Sequence, residues 1–513
     1  MRAGLTQFRP VKEDCLCLAA GAALPFAFAP YGFSSLGILC PAILFWVWMR
    51  SPGARASWRG WLFGVGMFGV GVSWVVHSFQ YNHIPLFMAV SLTALFVAFL
   101  ALFPALLGFL VVRFRAPRDT WQLLVLLPVG WVLAEWARGT LFTGFSWLQI
   151  GYSQVDTPLA GWAPLGGVYA MNWALALTSG VIVWFMASSK IRWWKSVALL
   201  LALWGGGALM GTIAWSLPTG VSLRVALVQG NIAQDVKWRP EYKDSTLNLY
   251  RSLTAENWDA DLVIWPETAL PGVYEEMGKF LDGLGKEARA NHTDLLLGIP
   301  SVQAFPRRLF NSVVSIGTNR AVYHKRHLVP FGEYLPLKPI FQPLVDFFGL
   351  PVSNFNRGSE HVNTLEVSGQ LVGVSICYEA TFGADIIKAL PGATLLVNVS
   401  NDAWFGDSKA PHQHLEMARL RARETGRYLL RATNTGVSAI IDFTGRVTER
   451  SQQFETEVVE GVVMPMHGAT PYVRYGNIPI LVTLLGLLAV YMALARSANE
   501  NRRAERSKES GHG

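Results

Sequence analysis

Three residues in the second half of the chain have the side chains needed to attack an acyl carbon. The first is Cys377, which ends the apolar, β-rich run 371–376 and precedes a segment with a helical pattern at 380–390. A thiol at a helix start feels a partial positive charge, which lowers its pKa and favours the thiolate. The pattern makes Cys377 a candidate nucleophile, whereas a small buried hydrophobe is the alternative for a lone cysteine.

Glu267 and Lys325 supply the partners that such a nucleophile needs. Glu267 follows a predicted buried strand at 262–265 and Pro266, which cannot continue a central ladder. α/β folds place catalytic groups just beyond strand ends. A carboxylate can take the thiol proton, and the Lys325 ammonium can keep that carboxylate ionised and stabilise a tetrahedral oxyanion. Taken singly, a solvated or helix-capping glutamate and a surface basic cluster are the alternatives.

Several motifs carry a resemblance to a known superfamily. The runs WPET at 265–268, HKRHLVPFGE at 324–333, CYE at 377–379 and NVSNDAWFG at 398–406 resemble the nitrilase superfamily. That superfamily uses a Glu-Lys-Cys triad on an αββα sandwich, which implies the catalytic roles of Glu267, Lys325 and Cys377. It also implies a second glutamate near the triad, at Glu333. The backbone amide of Tyr378 is a candidate second oxyanion donor.

Composition divides the chain into an apolar and a globular part. Of 513 residues, 15% are charged and 51% hydrophobic, against about 25% charge in soluble domains. We therefore expect a transmembrane domain of seven spans at 1–215, a globular catalytic domain at 216–470, and an eighth span with a basic tail at 471–513. A span needs about 20 apolar residues. The candidates lie near 14–30, 33–49, 60–79, 85–112, 121–137, 164–187, 197–215 and 476–495.

Lys and Arg in the connecting segments predict the orientation of these spans. Short cytoplasmic loops carry an excess of both residues, and with eight spans every basic cluster falls on one side. We therefore expect both termini in the cytoplasm and the 216–470 domain across the membrane, in the periplasm of a Gram-negative host. The clusters are Arg2, Arg9 and Lys12; Arg50, Arg55 and Arg59; Arg113, Arg115 and Arg118; Lys190, Arg192 and Lys195; and Arg496, Arg502, Arg503, Arg506 and Lys508.

The same topology explains the net charge of +8, because much of the excess Lys and Arg belongs to cytoplasmic loops. The charge therefore does not indicate nucleic-acid binding. Cys15, Cys17 and Cys40 fall in the first two predicted spans, so Cys377 is alone in the predicted exported domain and cannot form an internal disulfide there. A free thiol in an oxidising compartment indicates a reactive role.

Strand and helix patterns alternate through 216–470, which predicts α/β sheets covered by helices. The four-layer αββα arrangement is implied by the resemblance, not by the pattern. The expected strands are 223–230, 262–265, 294–299, 309–316, 371–376, 395–400, 437–443 and 458–464, and the expected helices are 240–258, 277–290 and 414–427.

Some further residues have two interpretations each. The apolar run 340–350 is either a core helix or a mobile lid or membrane-dipping arm near an acyl chain. Trp238 is either a substrate-binding residue on the same surface as that arm or a side chain with an ordinary packing role. Glu379 is a candidate substrate-binding residue, with a structural ion pair as the alternative. Arg138, between spans five and six, is either a lipid-headgroup contact or structural.

The sequence gives little indication of a metal site. His412 and His414 form an H-x-H pair beside Glu416, but metal sites need more ligands at better spacing. We therefore expect no metal, and the resemblance implies no organic cofactor.

The whole chain resembles the apolipoprotein N-acyltransferase family of bacterial inner-membrane proteins, in which a nitrilase-like domain is inserted between seven upstream spans and one downstream span. That resemblance implies a ping-pong reaction. An acyl chain from the sn-1 position of a phospholipid, expected to be phosphatidylethanolamine, passes through a Cys377 thioester to the α-amino group of a diacylglyceryl-cysteine lipoprotein.

Two other functions remain open from the residues alone. A membrane-tethered amidase or nitrilase would hydrolyse a C–N bond in a small polar pocket. A non-enzymatic scaffold or transporter would only bind, and transporters tend to show intramembrane charges and broken helices.

Overall fold

A computed structural model describes residues 9–81, 84–115, 119–187, 193–348 and 353–510, which fall into two compact units. The first unit comprises Met1–Ser73, Val90–Ile213 and Asn477–Gly513, and the second comprises Trp74–Ala89 and Ala214–Gly476. In addition to the expected globular domain, the second unit therefore contains the end of predicted span three, the start of predicted span four and the segment that connects them.

The first unit is helical and apolar. Within the described residues, five helical segments are long and apolar enough to cross a membrane: Leu86–Arg113, Asp119–Arg138, Pro158–Ala187, Trp193–Met210 and Ile478–Ser497. A sixth is added if the bent pair Gly53–Gly71 and Val75–Tyr81 counts as one span. The chain is thus a polytopic membrane protein by the length and composition of its helices.

The expected count of eight spans is not confirmed, and proline explains why. The first two predicted spans correspond to the helices Arg9–Ala23 and Leu36–Trp48. Pro25 lies in the 3-10 turn that follows the first helix, and Pro41 lies inside the second. At 1.5 Å per residue each helix measures about 20 Å, whereas a hydrocarbon core is about 30 Å thick.

Arg138 has a structural role in the first unit. Its side chain is 3% exposed, and it donates hydrogen bonds to the carbonyl oxygens of Phe145 at 2.7 Å and Trp147 at 2.6 Å. These contacts favour the structural interpretation over a headgroup contact. Of the basic residues used to predict orientation, Arg2, Arg118, Lys190 and Arg192 lie outside the described residues.

The second unit contains two six-stranded sheets. Their orders are β13-β2-β3-β4-β5-β6 and β12-β11-β10-β9-β8-β7, and β1 pairs with β14 separately. The pairs β2–β3, β3–β4, β8–β9 and β9–β10 are parallel, and the other pairs within the sheets are antiparallel. The strands are β1 Ser216–Pro218, β2 Leu223–Gln229, β3 Leu262–Ile264, β4 Asp294–Gln303, β5 Arg308–Ile316, β6 Val322–His324, β7 Thr364–Val367, β8 Gln370–Ile376, β9 Leu395–Ser400, β10 Leu429–Thr433, β11 Ala439–Ile441, β12 Val447–Arg450, β13 Glu457–Val463 and β14 Met466–Gly468.

The two sheets pack face to face and helices cover their outer faces. Alternate residues of β2 show this: Val225 and Leu227 join the core between the sheets, whereas Ala226 and Val228 join the core beneath the outer helices. Helices Lys243–Ala255 and Gly278–Ala290 cover the first sheet, and helix Ala410–Thr425 covers the second. The nitrilase-like αββα sandwich is therefore confirmed.

Sequence reasoning missed several strands, of which β10 matters most. It lies in the middle of the second sheet, between β9 and β11, and all five of its residues are buried. The helix predicted at 414–427 spans Ala410–Thr425 in the structure. Gly426 follows it in the left-handed conformation with φ of 64°. Arg431 interrupts the apolar run of β10, and this charge concealed the strand from a hydrophobicity pattern.

Gly298 of β4 allows the chain to pass closely behind Pro266 and Glu267. A Cβ at this position would lie 2.1 Å from the carbonyl oxygen of Pro266 and 2.7 Å from the Cα of Glu267. Both are backbone atoms, so any side chain would force the main chain to move. The backbone of Glu267 is therefore set by its packing on β4.

We predict that Gly298→Ala displaces the backbone at Glu267 and destabilises the second unit by about 1–3 kcal/mol, the usual cost of overpacking. Gly283→Ala is the matched control, because Gly283 lies in helix Gly278–Ala290 with no atom within 4 Å of its Cβ position. That change should raise stability slightly, since Ala is the better helix former. Thermal unfolding in detergent measures both, and equal midpoints for the two variants would contradict the prediction.

Candidate active site

The carboxylate of Glu267 lies three residues beyond the end of β3 and is fixed from two sides. Its side chain accepts a hydrogen bond from Asn311 Nδ2 at 2.6 Å and another from the backbone N–H of Asn401 at 2.8 Å. The residue is 7% exposed. These donors hold the carboxylate in one orientation.

Lys325 follows β6 directly, and its ammonium lies between two carboxylates. Its Nζ is 2.9 Å from Glu333 Oε1 and 3.6 Å from Glu267 Oε1, and the residue is 1% exposed. Burial alone would lower the pKa of the ammonium, but Glu333 and then Glu267 outweigh burial and raise it above its ordinary value. Lys325 therefore carries a permanent positive charge at the site.

Glu333 is held in turn by its own set of donors. Its Oε1 accepts from Asn311 Nδ2 at 3.1 Å as well as from Lys325, and its Oε2 accepts from the backbone N–H of Val329 at 2.8 Å. Asn311 thus donates to both glutamates. The structure brings the predicted residues Glu267, Lys325 and Glu333 together in one buried cluster.

Cys377 follows β8 and adopts φ of 51°, a left-handed conformation that is rare for a residue with a side chain. The sequence predicted a lowered pKa for its thiol, and this prediction is wrong. Burial, and then the Glu267 carboxylate, raise the pKa of the thiol well above its ordinary value, and Lys325 opposes them only in part. The predicted helix 380–390 is broken into short turns beginning with the 3-10 turn Cys377–Thr381, so little helix dipole acts on the sulfur.

Glu379 connects the loop after Lys325 to the turn that carries Cys377. It is 2% exposed, and its carboxylate accepts hydrogen bonds from Tyr323 Oη at 2.9 Å and from Ile376 N–H at 2.8 Å. The backbone N–H groups of Arg326 and His327 donate to it at 2.7 and 3.0 Å. A carboxylate with four internal donors is a structural anchor, and it needs no substrate group to satisfy it.

Tyr378 and Trp238 differ in exposure. Tyr378 is 7% exposed and follows Cys377 in the same turn, whereas Trp238 is 51% exposed. The residue before Trp238, Lys237, is buried and donates to Thr268 Oγ1 at 2.9 Å and to the Glu267 carbonyl oxygen at 3.4 Å. Burial lowers the pKa of Lys237 to about 7, although Glu267 opposes that shift. Trp238 is thus tied through Lys237 to the backbone of Glu267.

Sequence reasoning missed Asn311, Asn401 and Lys237. Asn311 lies inside β5, where a polar side chain in an otherwise apolar strand was the available signal. Asn401 contributes a backbone N–H, for which a side-chain pattern gives no signal.

The apolar run 340–350 begins as an amphipathic helix, Lys338–Phe348, rather than as part of a core. Ile340 is 63% exposed, and Phe341 packs against Phe331 with ring centroids 5.3 Å apart. Gly349 and Leu350 lie outside the described residues. Exposed apolar side chains on this helix are consistent with a lipid-facing arm.

His412 and His414 do not share a site. His414 is fully buried and contacts Asp402 and Arg431, whereas His412 is only partly buried. Within the part of the chain that the structure describes, no group of three His, Cys, Asp or Glu residues is arranged to hold a metal ion.

The arrangement suits nucleophilic acyl transfer. The Cys377 thiol is neutral at rest because its pKa is raised, so it needs a base. Of the two carboxylates that raise this pKa, Glu267 has the larger effect and Asp402 the smaller. Lys325, which is 1% exposed, supplies a fixed positive charge for a developing oxyanion.

Comparison with known proteins identifies relatives over nearly the whole chain. Residues 20–181 match the family model described as apolipoprotein N-acyltransferase N-terminal domain, and residues 224–466 match carbon-nitrogen hydrolase. The apolipoprotein N-acyltransferase of Methylococcus capsulatus is 44% identical over 96% of this chain and 99% of its own length. That of Nitrosomonas europaea is 43% identical over 93% and 96%. A solved carbon-nitrogen hydrolase from Helicobacter pylori G27 is 15% identical, covering 52% of this chain and 94% of its own, with a TM-score of 0.37.

We predict that Lys325→Met lowers the free energy of unfolding by about 3–5 kcal/mol, because it leaves two buried carboxylates without their cation. The double variant Lys325→Met/Glu333→Gln should recover part of this loss, since it also removes one uncompensated charge. Thermal unfolding of both variants tests this coupling.

Lys279→Met is the control for the prediction, because Lys279 is exposed in helix Gly278–Ala290 and should unfold as wild type does. The prediction is wrong if Lys325→Met unfolds at the wild-type midpoint, or if the double variant is no more stable than Lys325→Met alone.

Proposed function

The chain belongs to the apolipoprotein N-acyltransferase family, and from this membership we propose that it N-acylates lipoproteins through a thioester on Cys377. Membership makes it an acyltransferase of lipoprotein biosynthesis. The proposal adds a phospholipid donor, expected to be phosphatidylethanolamine, and an acceptor, the α-amino group of an N-terminal diacylglyceryl-cysteine. The catalytic residues are Glu267, Lys325, Cys377 and Glu333.

The observation that carries the proposal is the buried Lys325 ammonium held between Glu333 and Glu267 beside a thiol that is neutral at rest. A neutral thiol is a weak nucleophile, so attack requires transfer of its proton to a base in the same step. Glu267 is suited to this, because its two donors orient the carboxylate and the Lys325 ammonium lies 3.6 Å from its Oε1.

In the first half-reaction Glu267 takes the thiol proton, and the sulfur of Cys377 attacks the sn-1 ester carbonyl. The tetrahedral oxyanion is stabilised by Lys325 and by the backbone N–H of Tyr378. When the C–O bond breaks, Glu267 returns the proton to the departing oxygen. Lysophospholipid leaves, and the acyl chain remains on Cys377 as a thioester.

In the second half-reaction the neutral α-amino group of the lipoprotein attacks the thioester carbonyl. Glu267 takes a proton from the attacking nitrogen, the C–S bond breaks, and the proton passes to the sulfur. The products are an amide-linked third acyl chain and a regenerated Cys377 thiol. Atoms and charges balance without a metal or an organic cofactor.

The remaining residues have supporting roles in this proposal. Glu379 lies in the turn of Cys377 and fixes it to β6, to the loop after Lys325 and to the end of β8, since its four donors come from those three segments. Trp238 is a substrate-binding residue, because its exposed ring is tied through Lys237 to the backbone beside Glu267. An aromatic ring in this setting offers an apolar surface to a lipid chain.

We also propose that the chain resides in the bacterial inner membrane, with both termini cytoplasmic and the 216–470 domain periplasmic. The transmembrane domain at 1–215 and the last span with its tail at 471–513 complete this organisation. The basic clusters support it, because Lys and Arg concentrate in cytoplasmic loops. Both proposed substrates are membrane lipids, which gives apolar helices in the same chain a physical purpose.

The test is acyl transfer from phosphatidylethanolamine to a synthetic diacylglyceryl-cysteine peptide in detergent, followed by mass spectrometry of the peptide. We predict that Cys377→Ser lowers the transfer rate by at least about 10³-fold, as expected when a covalent nucleophile is lost. Cys15→Ser is the matched control and should keep wild-type activity, because Cys15 is an exposed free cysteine outside the cluster.

Two results would contradict the proposal. One is unchanged transfer by Cys377→Ser. The other is release of ammonia from simple amides without any transfer to the peptide, which would favour a membrane-tethered amidase.

A further inference from the structure

A second cluster of charged side chains lies behind Cys377, and the proposed reaction makes no use of it. Asp402, His414 and Arg431 come from the loop after β9, from helix Ala410–Thr425 and from β10. All three are 0–1% exposed. Charges buried this deeply cost free energy that an apolar group of the same shape would not. Their presence in the core therefore suggests a purpose other than stability.

Arg431 joins the other two side chains by hydrogen bonds. One Arg431 nitrogen, Nη2, donates to Asp402 Oδ2 at 2.8 Å and to His414 Nδ1 at 3.0 Å. Asp402 Oδ1 accepts from Ser400 Oγ at 2.8 Å and lies 3.2 Å from His414 Nδ1. Burial alone would raise the pKa of Asp402, but the Arg431 guanidinium, together with the Ser400 hydroxyl, holds it below its ordinary value, so the carboxylate is ionised.

The imidazole of His414 connects this network to the nucleophile. Its Nε2 lies 3.1 Å from the carbonyl oxygen of Cys377, which can only accept a hydrogen bond, so Nε2 must carry a proton. Burial and Arg431 lower the pKa of His414, which makes the ring neutral with a single proton. Nδ1 is then the acceptor for Arg431. The surroundings thus select one tautomer, with its N–H directed at Cys377.

Cys377 needs such support because its φ of 51° is unfavourable for a residue with a side chain. One peptide earlier, Glu379 holds the end of β8, because it accepts from Ile376 N–H at 2.8 Å. The carbonyl after its Cα is held by His414 at 3.1 Å, with Asn398 Nδ2 more distant at 3.5 Å. His414 therefore supplies the shorter of these two hydrogen bonds on that side of the turn.

The same cluster reaches the general base. Asn401 immediately precedes Asp402, and its backbone N–H donates to Glu267 Oε2. Anchoring Asp402 through Arg431 therefore also fixes the amide that orients Glu267. Nucleophile and base are attached to one rigid set of buried charges.

We propose that His414 is a positioning residue for the acyl-transfer reaction, in which its Nε2–H, oriented by Arg431 and Asp402, fixes the Cys377 carbonyl and so aims the thiol at Glu267 and Lys325. This rests on the proposed function in one respect, that Cys377 is the nucleophile. His414 touches no substrate in this role.

Two substitutions at His414 distinguish a role in positioning Cys377 from a general role in stabilising the core. His414→Gln keeps a donor at the reach of Nε2, whereas His414→Asn keeps an acceptor at the reach of Nδ1 but cannot contact the Cys377 carbonyl. A positioning role requires Gln to preserve function and Asn to impair it. His412→Asn is the control, because His412 lies on the same helix and is only partly buried.

The readout is the rate at which iodoacetamide alkylates Cys377 between pH 7 and 10, followed on the Cys377 peptide by mass spectrometry. The sulfur displaces iodide and the thiol proton passes through Glu267 to solvent, so the rate reports the alignment of thiol and base without any lipid. Transfer to the diacylglyceryl peptide and the thermal midpoint are measured on the same samples.

We expect His414→Asn to slow both alkylation and transfer by about threefold to tenfold, the effect of one lost hydrogen bond. For His414→Gln and His412→Asn, both rates should stay within about twofold of wild type, a smaller change than the loss of one hydrogen bond would cause. Equal rates in all four proteins would overturn the proposal. So would equal slowing of Gln and Asn with a lowered midpoint, which indicates a purely structural role. If wild type transfers no acyl chain, the proposed function fails, whereas the alkylation rates still decide the role of His414.

Discussion

The buried ammonium of Lys325 is the constraint on which the arrangement of the surrounding strands and loops depends. A lysine with 1% exposure has lost its hydration, and only nearby carboxylates can compensate for that loss. Glu333 at 2.9 Å and Glu267 at 3.6 Å do so, and Asn311 joins them by donating to both. These groups come from the segment after β3, from β5 and from the loop after β6. The sheet must therefore bring these three segments close together. The sheet topology is therefore what allows the charge of Lys325 to be compensated at this site.

The Cys377 thiol is uncharged in the resting site, and this determines the charge balance around Lys325. A thiolate beside Glu267 would repel it, and the raised pKa of the thiol expresses that repulsion together with burial. The resting site therefore holds one cation against two carboxylates and an uncharged nucleophile. In the proposed reaction, negative charge reaches the sulfur only when Glu267 accepts the thiol proton, and the acyl oxygen becomes negative in the same step. Lys325 would then stabilise the transition state more than the ground state.

Much of this could be predicted from the sequence, and the failures have physical causes. Strands β2, β8 and β9 were found nearly to the residue, because strands buried on both faces read as continuous apolar runs. Glu267, Lys325 and Cys377 were singled out as candidates because motifs mark the ends of such strands, and the structure places the first two 3.6 Å apart. By contrast, β10 was missed because Arg431 is compensated by Asp402 and His414, which lie 29 and 17 residues away in the chain.

The thiol pKa was predicted in the wrong direction for a related reason. The local sequence reveals only the residues next to Cys377, whereas burial and the approach of Glu267 depend on the other sheet. The expected number of spans was likewise not confirmed, because apolar composition does not reveal how long each helix is, and the helices Arg9–Ala23 and Leu36–Trp48 are short. Contacts between distant segments decide each of these points.

Intact mass spectrometry decides whether Cys377 carries an acyl chain, the step on which the proposed reaction rests. Wild type and Cys377→Ser are purified in detergent, incubated with phosphatidylethanolamine in the absence of acceptor peptide, and weighed. We expect a hydroxylamine-labile adduct of acyl-chain mass on wild type alone, which disappears when the diacylglyceryl peptide is added. An adduct of equal yield on Cys377→Ser, or none on wild-type protein that transfers acyl chains when both substrates are present, would refute the thioester.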